Sequence, residues 1–455
     1  MLENTNLVLT FMLVAPLLAA LALGLPARWA PAGLGRIGAL TAGVGFLGAV
    51  ALAVAAGGNG SVSAKFGFAE FAVDALAGVL LLLVFGVSGI VQAFAVRYLA
   101  GDPRAKWFAG GASLLTAASA GLATSSTLVT LALCWSLSGA ALCLLLATYP
   151  QLPAARDGVR RTATAFLVGD LALWAAVAVA TLTWGTIDLR GGDQLGGPVA
   201  AVLGCLVVLA ALSRSAQIPF HRWLPATLAA PTPVSALLHA GVVNAGAILL
   251  IRLAPLTTTD AARALTITAG AATMIYGAVV MLVKPDIKGA LAHSTTAQMG
   301  FMILTCGLGL WAAAVIHLVA HGFYKSTLFL SSGSAIARQR RHRVMPEAPP
   351  PAGRRALGMA LAAAALPALA LAIAVTLAPL PPGDHAAEQA RLIFAWVTGA
   401  AALWGWLRRN PGLRPALGGA ALLLPAAIGY VWLVNAVSGY LTPALPPAGL
   451  SAASV

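Results

Sequence analysis

The sequence predicts an all-α polytopic membrane protein of about fourteen spans, one of them broken near Pro219, and three observations support this. Of its 455 residues, 60% are hydrophobic and only 9% are charged, against roughly 25% charged in a soluble domain. The apolar residues come in runs of ~20, the length that crosses a bilayer as a helix. The Lys and Arg residues lie between those runs and are dense in alternate loops, as the cytoplasmic preference of positive charge requires. A soluble fold is thereby excluded. The net charge of +14 comes from scattered residues and gathers in no basic domain, so it does not indicate nucleic acid.

Taken in order, the spans fall near residues 7–25, 34–56, 73–95, 108–125, 127–148, 163–183, 198–216 and 231–253, and then near 263–283, 289–308, 311–336, 356–379, 390–407 and 415–440. The first lacks the basic flank and cleavage site of a signal peptide and reads as a membrane helix. Nineteen Lys and Arg follow odd-numbered spans, whereas five (Lys65, Arg190, Arg252, Arg263 and Arg391) occupy the opposite loops. Both termini are therefore expected outside the cytoplasm, with a basic cytoplasmic face suited to anionic lipid or an acidic partner. The predicted layout is N-terminal helices over 1–72, a core over 73–337, a basic Pro-rich cytoplasmic linker over 338–355 and C-terminal helices over 356–455. Cys134, Cys143, Cys205 and Cys306 lie inside apolar runs without CxxC spacing, which gives no iron–sulfur or zinc motif. No P-loop or dinucleotide fingerprint occurs, so energy must come from an ion gradient or another subunit. No cofactor and no metal are expected in this chain, and catalysis, if any, would lie in a partner.

Ionisable groups inside hydrocarbon are expensive unless paired or hydrated, which makes each a functional candidate. Asp170 sits mid-span, Arg214 closes the seventh span, His239 lies in the eighth, and Lys288 and His293 open the tenth. The eleventh span carries His317, His321 and Lys325 at i, i+4 and i+8, one stripe on a helix. Three protonatable groups on one face resemble a proton relay. The structural alternative is a His capping a buried carbonyl with Lys325 snorkelling to an interface. Two His at this spacing without a carboxylate do not make a metal site. Asp170, facing hydrocarbon, must be protonated or paired, and Arg214 is the most economical partner. Proline at 219 stops the helix, with Pro225, Pro231 and Pro233 following. Such breaks at membrane depth line cavities and ion sites. Residues 217–228 can instead form an interfacial segment with Arg222 at the headgroups. Ser235, His239 and Asn244 are expected on one broad side of the eighth span.

The run from Arg214 through Gln217, Pro219, His221 and Pro225, followed by Ala230-Pro231-Thr232-Pro233-Val234-Ser235 and Leu238-His239-Ala240, resembles the signature of the antiporter-like membrane subunits of complex I and the multi-subunit sodium/proton antiporters. Val168-Gly169-Asp170, Asp286-Ile287-Lys288 with Ser294-Thr295, and His317 to Lys325 continuing to Ser334 match in the same order. The likeness covers about residues 75–337, with only hydropathy beyond. The segment from His239 to Gly246 is more similar to the DabB group, the membrane subunits of inorganic-carbon pumps, than to complex I subunits. That resemblance implies a cation-driven (H+ or Na+) subunit in a bacterial inner membrane. It also implies a DabA-like soluble partner on the cytoplasmic face, with zinc in a site resembling carbonic anhydrase, and accumulation of bicarbonate. An ion path over Asp170, His239, Lys288, His293, His317, His321 and Lys325 is implied, with Arg214 as a fixed charge. Two positions depart from the family pattern. Trp135-Ser136 stands where pumps have Trp-Glu, with Arg214 for their Lys, and the span at 356–379 has no ionisable residue. A respiratory, hydrogenase or antiporter pump subunit, or a membrane anchor without transport, are the alternative readings.

Overall fold

The computed structural model describes residues 2–22, 33–57, 62–185, 187–189, 198–333, 353–378, 385–410 and 413–446. They fall into two compact units, Met1–Ser334 with Pro443–Gly449, and Ala335–Thr442 with Leu450–Val455. Most of the basic linker predicted over 338–355, and the loop charges Arg28, Arg190 and Asp193, lie outside the described residues.

In the first unit, α1 (Leu2–Leu21) and α2 (Leu34–Gly57) precede a hairpin of β1 (Val62–Phe66) and β2 (Ala69–Val73). There follow α3 (Ala75–Tyr98), α4 (Ala105–Thr124), α5 (Leu128–Leu146), α6 (Pro153–Trp184) and α7 (Pro198–Arg214). After an irregular stretch come α8 (Thr232–Ala240), α9 (Ala245–Arg252), the short α10 (Ala254–Thr257), α11 (Asp260–Val283), α12 (Ile287–Gly307) and α13 (Trp311–Leu330). The second unit holds α14 (Gly353–Leu377), α15 (His385–Arg409) and α16 (Leu413–Leu441).

Helices overlap every predicted span. Among the described residues nine are long and apolar enough to cross a membrane, with α8 and α9 together counting as one, while α1 and α7 contain shorter apolar segments. The expected fourteen therefore exceeds what length and hydropathy establish. The hairpin is an addition to the all-α expectation. Its strands alternate in side and pair Val62 with Val73, and the turn is allowed by Gly67 at φ +61°.

Local chemistry explains the helix starts. Asp74, Thr127 and Asp286 accept backbone N–H groups at the first turns of α3, α5 and α12. Glycines explain how closely helices meet in a medium where van der Waals contact drives association. A Cβ on Gly277 of α11 would lie 2.5 Å from the Ala297 nitrogen of α12. In the first unit Leu9, Leu52, Leu81 and Phe85 bury the hairpin side of α1–α3 around Val62 and Val73.

Candidate functional site

The Arg214 guanidinium, at the end of α7, is fully buried and is held by two other helices. Nη2 donates to Asp170 Oδ1 on α6 at 2.9 Å, and Nη1 donates to Trp135 O at 3.1 Å and to Ser138 Oγ at 2.9 Å on α5. Its plane lies over the Trp135 ring at 4.4 Å and the Phe166 ring at 4.2 Å, within cation–π range. The Trp135 indole donates to the same Asp170 oxygen at 2.8 Å. Gly139 makes the close approach possible, since a Cβ there would stand 2.9 Å from Nη2. The pairing expected from sequence is present; the cage of Trp135, Ser138, Gly139 and Phe166 around it was not foreseen. A buried guanidinium with five donors needs several acceptors, and the Ser and Trp of an otherwise apolar α5 were the available sign. Ser136 stands apart from the cage and accepts from Trp174 Nε1 at 3.1 Å.

The second group lies where α8, α12 and α13 meet. Lys325 is 1% exposed, and its ammonium donates to Leu291 O of α12 at 3.2 Å. One turn back, the His321 ring sits 5.8 Å from that of His317 and in near-parallel planes. Neither His321 nitrogen has a protein partner, and His317 Nε2 has none. His239 shares a 3.0 Å hydrogen bond through Nδ1 with Thr295 Oγ1 and stacks on Phe329 at 4.3 Å, so it joins α8 to both α12 and α13. His293 is buried with Nδ1 unpartnered and faces the edge of Tyr276, which also meets His221. Lys288 is set apart from these groups in the first turn of α12, half-buried, donating to Ala230 O at 3.2 Å. α13 closes at Leu330 rather than at 336, which leaves Lys325 nearer its C-terminal end than the sequence suggested.

Between the two groups the chain is broken twice. The first break is the one expected at Pro219. α7 stops at Arg214, Ala216 takes φ +52°, and 3-10 turns at His221–Trp223 and Pro225–Thr227 follow. Trp223 and Leu224 are buried and Arg222 is exposed, so this segment is folded inward around one surface arginine. The second break corrects the sequence reading. The eighth span opens at Gly241 into a 3-10 turn at Val242–Asn244, so His239 and Asn244 do not share one helical face. The freed backbone is satisfied locally, as a buried break requires. Asn244 Nδ2 donates to Ala240 O at 2.7 Å, and Ser215 Oγ to Val243 O at 2.6 Å. Gly241 with Gly246 was the available signal. A Cβ on Gly246 would stand 2.6 Å from Ala211 O, so only glycine lets α9 touch α7 there.

One ion pair was hidden by the loop tally. Arg252, at the end of α9, grips Asp74 with both guanidinium nitrogens, at 2.5 and 2.9 Å, and also donates to Ala123 O. The tally of basic residues counts Arg252 only as an outer-loop charge. On the opposite loop face Tyr149 donates to Asp102 Oδ2 at 2.5 Å. That bond and the Arg104 N–H hold the Asp102 carboxyl below its usual range, while burial, with the Asp102 contact behind it, pushes Tyr149 up to about 12.

Comparison with known proteins places this arrangement. The family model described as NADH:quinone oxidoreductase/Mrp antiporter, TM, matches residues 125–407, well past the last sequence motif. The model of the complex I chain 5 N-terminus matches residues 60–109. The chain is 38% identical over 288 residues to the probable inorganic carbon transporter subunit DabB1 of Halothiobacillus neapolitanus, covering 61% of this chain and 52% of that one. It is 35% identical to the DabB of Bacillus subtilis (62% and 56%) and 36% identical to NADH-quinone oxidoreductase subunit L of Mycobacterium tuberculosis (58% and 43%). It thus spans about half the length of the curated relatives it matches. Among solved structures it resembles the Mrp complex from Dietzia sp., with a TM-score of 0.68 and 26% identity over 96% of this chain and 52% of that one. With more than half of its length inside the family model, the chain belongs to the NADH:quinone oxidoreductase/Mrp antiporter family of membrane subunits.

Proposed function

We propose that this chain is the membrane subunit of a bacterial inorganic-carbon uptake complex, in which a cation gradient energises a soluble partner on the cytoplasmic side. One observation carries the ion-translocating part: His321, buried between His317 and Lys325, keeps both ring nitrogens free of protein partners. A neutral imidazole has one donor and one acceptor, so both are open to water or to a migrating proton. The cargo is supported by the DabB relatives and by the His239–Gly246 segment, which here forms the second helix break.

In this reading the cation passes along Lys288, His293, His239, Lys325, His321 and His317. The Asp170–Arg214 pair acts as a fixed electrostatic gate, since a guanidinium keeps its proton. When Lys325 passes its proton on, the neutral amine holds Leu291 O more weakly, and α12 moves against α13. The partner, a DabA-like protein with a carbonic-anhydrase-like zinc site, couples that motion to directional hydration of CO2. Both chain termini lie outside the cytoplasm, in the inner membrane, and the basic face is the partner's dock. The similarity to NADH-quinone oxidoreductase subunit L and to the Mrp complex favours a second reading, a proton-pumping or antiporter subunit of a respiratory-type complex.

Purification of the tagged chain from its native membrane in mild detergent tests the choice. A single large zinc-bearing soluble protein in stoichiometric amount is the expected companion. Flavin and iron–sulfur subunits, or several small antiporter subunits, would replace the first reading by the second.

A further inference from the structure

A third polar chain lies apart from both groups, between α3 and α4. Gln92 is 2% exposed, and its Nε2 donates to Ser88 Oγ at 2.8 Å. The Ser88 hydroxyl is 2.6 Å from Thr116 Oγ1, which donates to Ala112 O. Interhelical hydrogen bonds of this kind can be glue alone. Glue, however, needs neither space nor spare acceptors, and here there are both.

Gln92 lines a cavity of about 480 Å³ on the basic loop face, together with Arg36, Ala100, Asp102 and Lys106. Ser88 and Thr116 line an inner cavity of about 60 Å³, which Ser119, Ser138 and Asn244 also reach. One orphan stands at each end, for Gln92 Oε1 and Asn244 Oδ1 are buried without a protein partner. Buried amide oxygens without partners are normally satisfied by ordered water. A water needs roughly 10–15 Å³ of such volume and two to four polar partners, so the inner cavity has room for about four. Ser138, at its far side, already accepts from Arg214. Gly38 keeps the carboxamide in place, because a Cβ there would overlap it and stand 3.2 Å from Ser113 Oγ.

We infer that Gln92, Ser88 and Thr116 form a water-access branch that joins the basic loop face to Ser138 and so hydrates the Arg214–Asp170 pair, apart from the α12–α13 stripe. The occupant is water, and this is independent of which cargo the whole complex carries. Its role is to hydrate the buried ion pair from one aqueous phase only.

The test reads water and not transport. In the full chain with Cys134, Cys143, Cys205 and Cys306 replaced by alanine, Ser119→Cys reports on the inner cavity through silver ion, a probe close to water in size, applied to membrane vesicles. Silver should protect this thiol from maleimide alkylation carried out afterwards in SDS, where every thiol that silver has not reached is open to the maleimide. Gln92→Leu should slow that protection at least tenfold. Ala100→Trp, at an exposed position on the outer cavity, should do the same without touching the buried chain. A Ser119→Cys thiol that silver leaves unprotected would show the inner cavity dry and overturn the inference. So would protection at an unchanged rate in Ala100→Trp, since water would then arrive by another route. Should Gln92→Leu fail to give a monodisperse protein, the Ala100→Trp rate decides.

Discussion

The Arg214 cage and the α13 stripe are both buried clusters of ionisable groups, yet they use their hydrogen-bonding capacity in opposite ways. In the cage one guanidinium binds a carboxylate, a carbonyl and a hydroxyl, is covered by two aromatic rings, and leaves only Nε without an acceptor. In the stripe Lys325 makes one long bond to a carbonyl, while His321 makes none to protein and His317 leaves Nε2 open. Saturation fixes a charge and the helices around it. Unused donors and acceptors, in a medium where each is costly, mark where water or a proton must come and go. The difference teaches that burial of a charge alone does not single out a translocation site; the state of its neighbours does.

Breaking the cage should give the largest structural effect. Arg214→Leu leaves the half-buried Asp170 against Trp135 with no cation, a loss of about 3 kcal/mol. Detergent-extracted protein should fall at least tenfold in monodisperse yield. Lys325→Met removes a buried charge with a single carbonyl contact, so its yield should stay within about twofold of the parent. Equal yields for the two variants would erase the contrast. Arg252→Leu, which strips a bidentate partner from the Asp74 helix cap, should lower stability by about 2–3 kcal/mol, read as a drop in Tm. Gly139→Ala should cost about 1–3 kcal/mol by pressing a methyl onto the guanidinium. Arg214→Lys in the same background should relieve it, because the fork that the methyl strikes is gone.

The smallest effect sharpens the comparison from outside the membrane. The Asp102 carboxyl is held below its ordinary 3.8, so its contribution is present above that pH and lost as pH falls through the lowered value. Tyr149 is raised from 10 to about 12, so its contribution is complete below pH 10 and lost between 10 and about 12. Tyr149→Phe should therefore lower Tm at pH 7 and converge with the parent above about pH 12. A difference unchanged across that range would show that the contact is only packing.

Much of this was legible in the sequence because the bilayer enforces simple rules. Apolar length marked every long helix, and Asp170 in an apolar run had Arg214 as its most economical partner. The i, i+4, i+8 spacing put His317, His321 and Lys325 on one face of α13, as found. What was hidden depends on contacts between distant segments. The cage needs α5, whose Trp135 and Ser138 carry no charge to draw attention. Asp74 and Arg252 are 178 residues apart, and nothing in the spacing of either links it to the other. The opening at Gly241 was masked by continuous hydropathy, since a short 3-10 turn leaves the apolar count of a span unchanged. The hairpin alternates in side over only five residues a strand, too short to stand out between two spans.

The central claim is that the stripe moves charge and is not needed to hold the fold, and one experiment reads both. In a host unable to grow in air without an inorganic-carbon uptake system, the chain is expressed with its partner as parent or as Lys325→Ala, and growth in air is compared with the amount of assembled complex. The expected result is assembled complex at parental levels with growth rescue abolished. Full rescue by Lys325→Ala at equal assembly would contradict the account, removing the stripe from the ion path and leaving the chain an anchor for its partner.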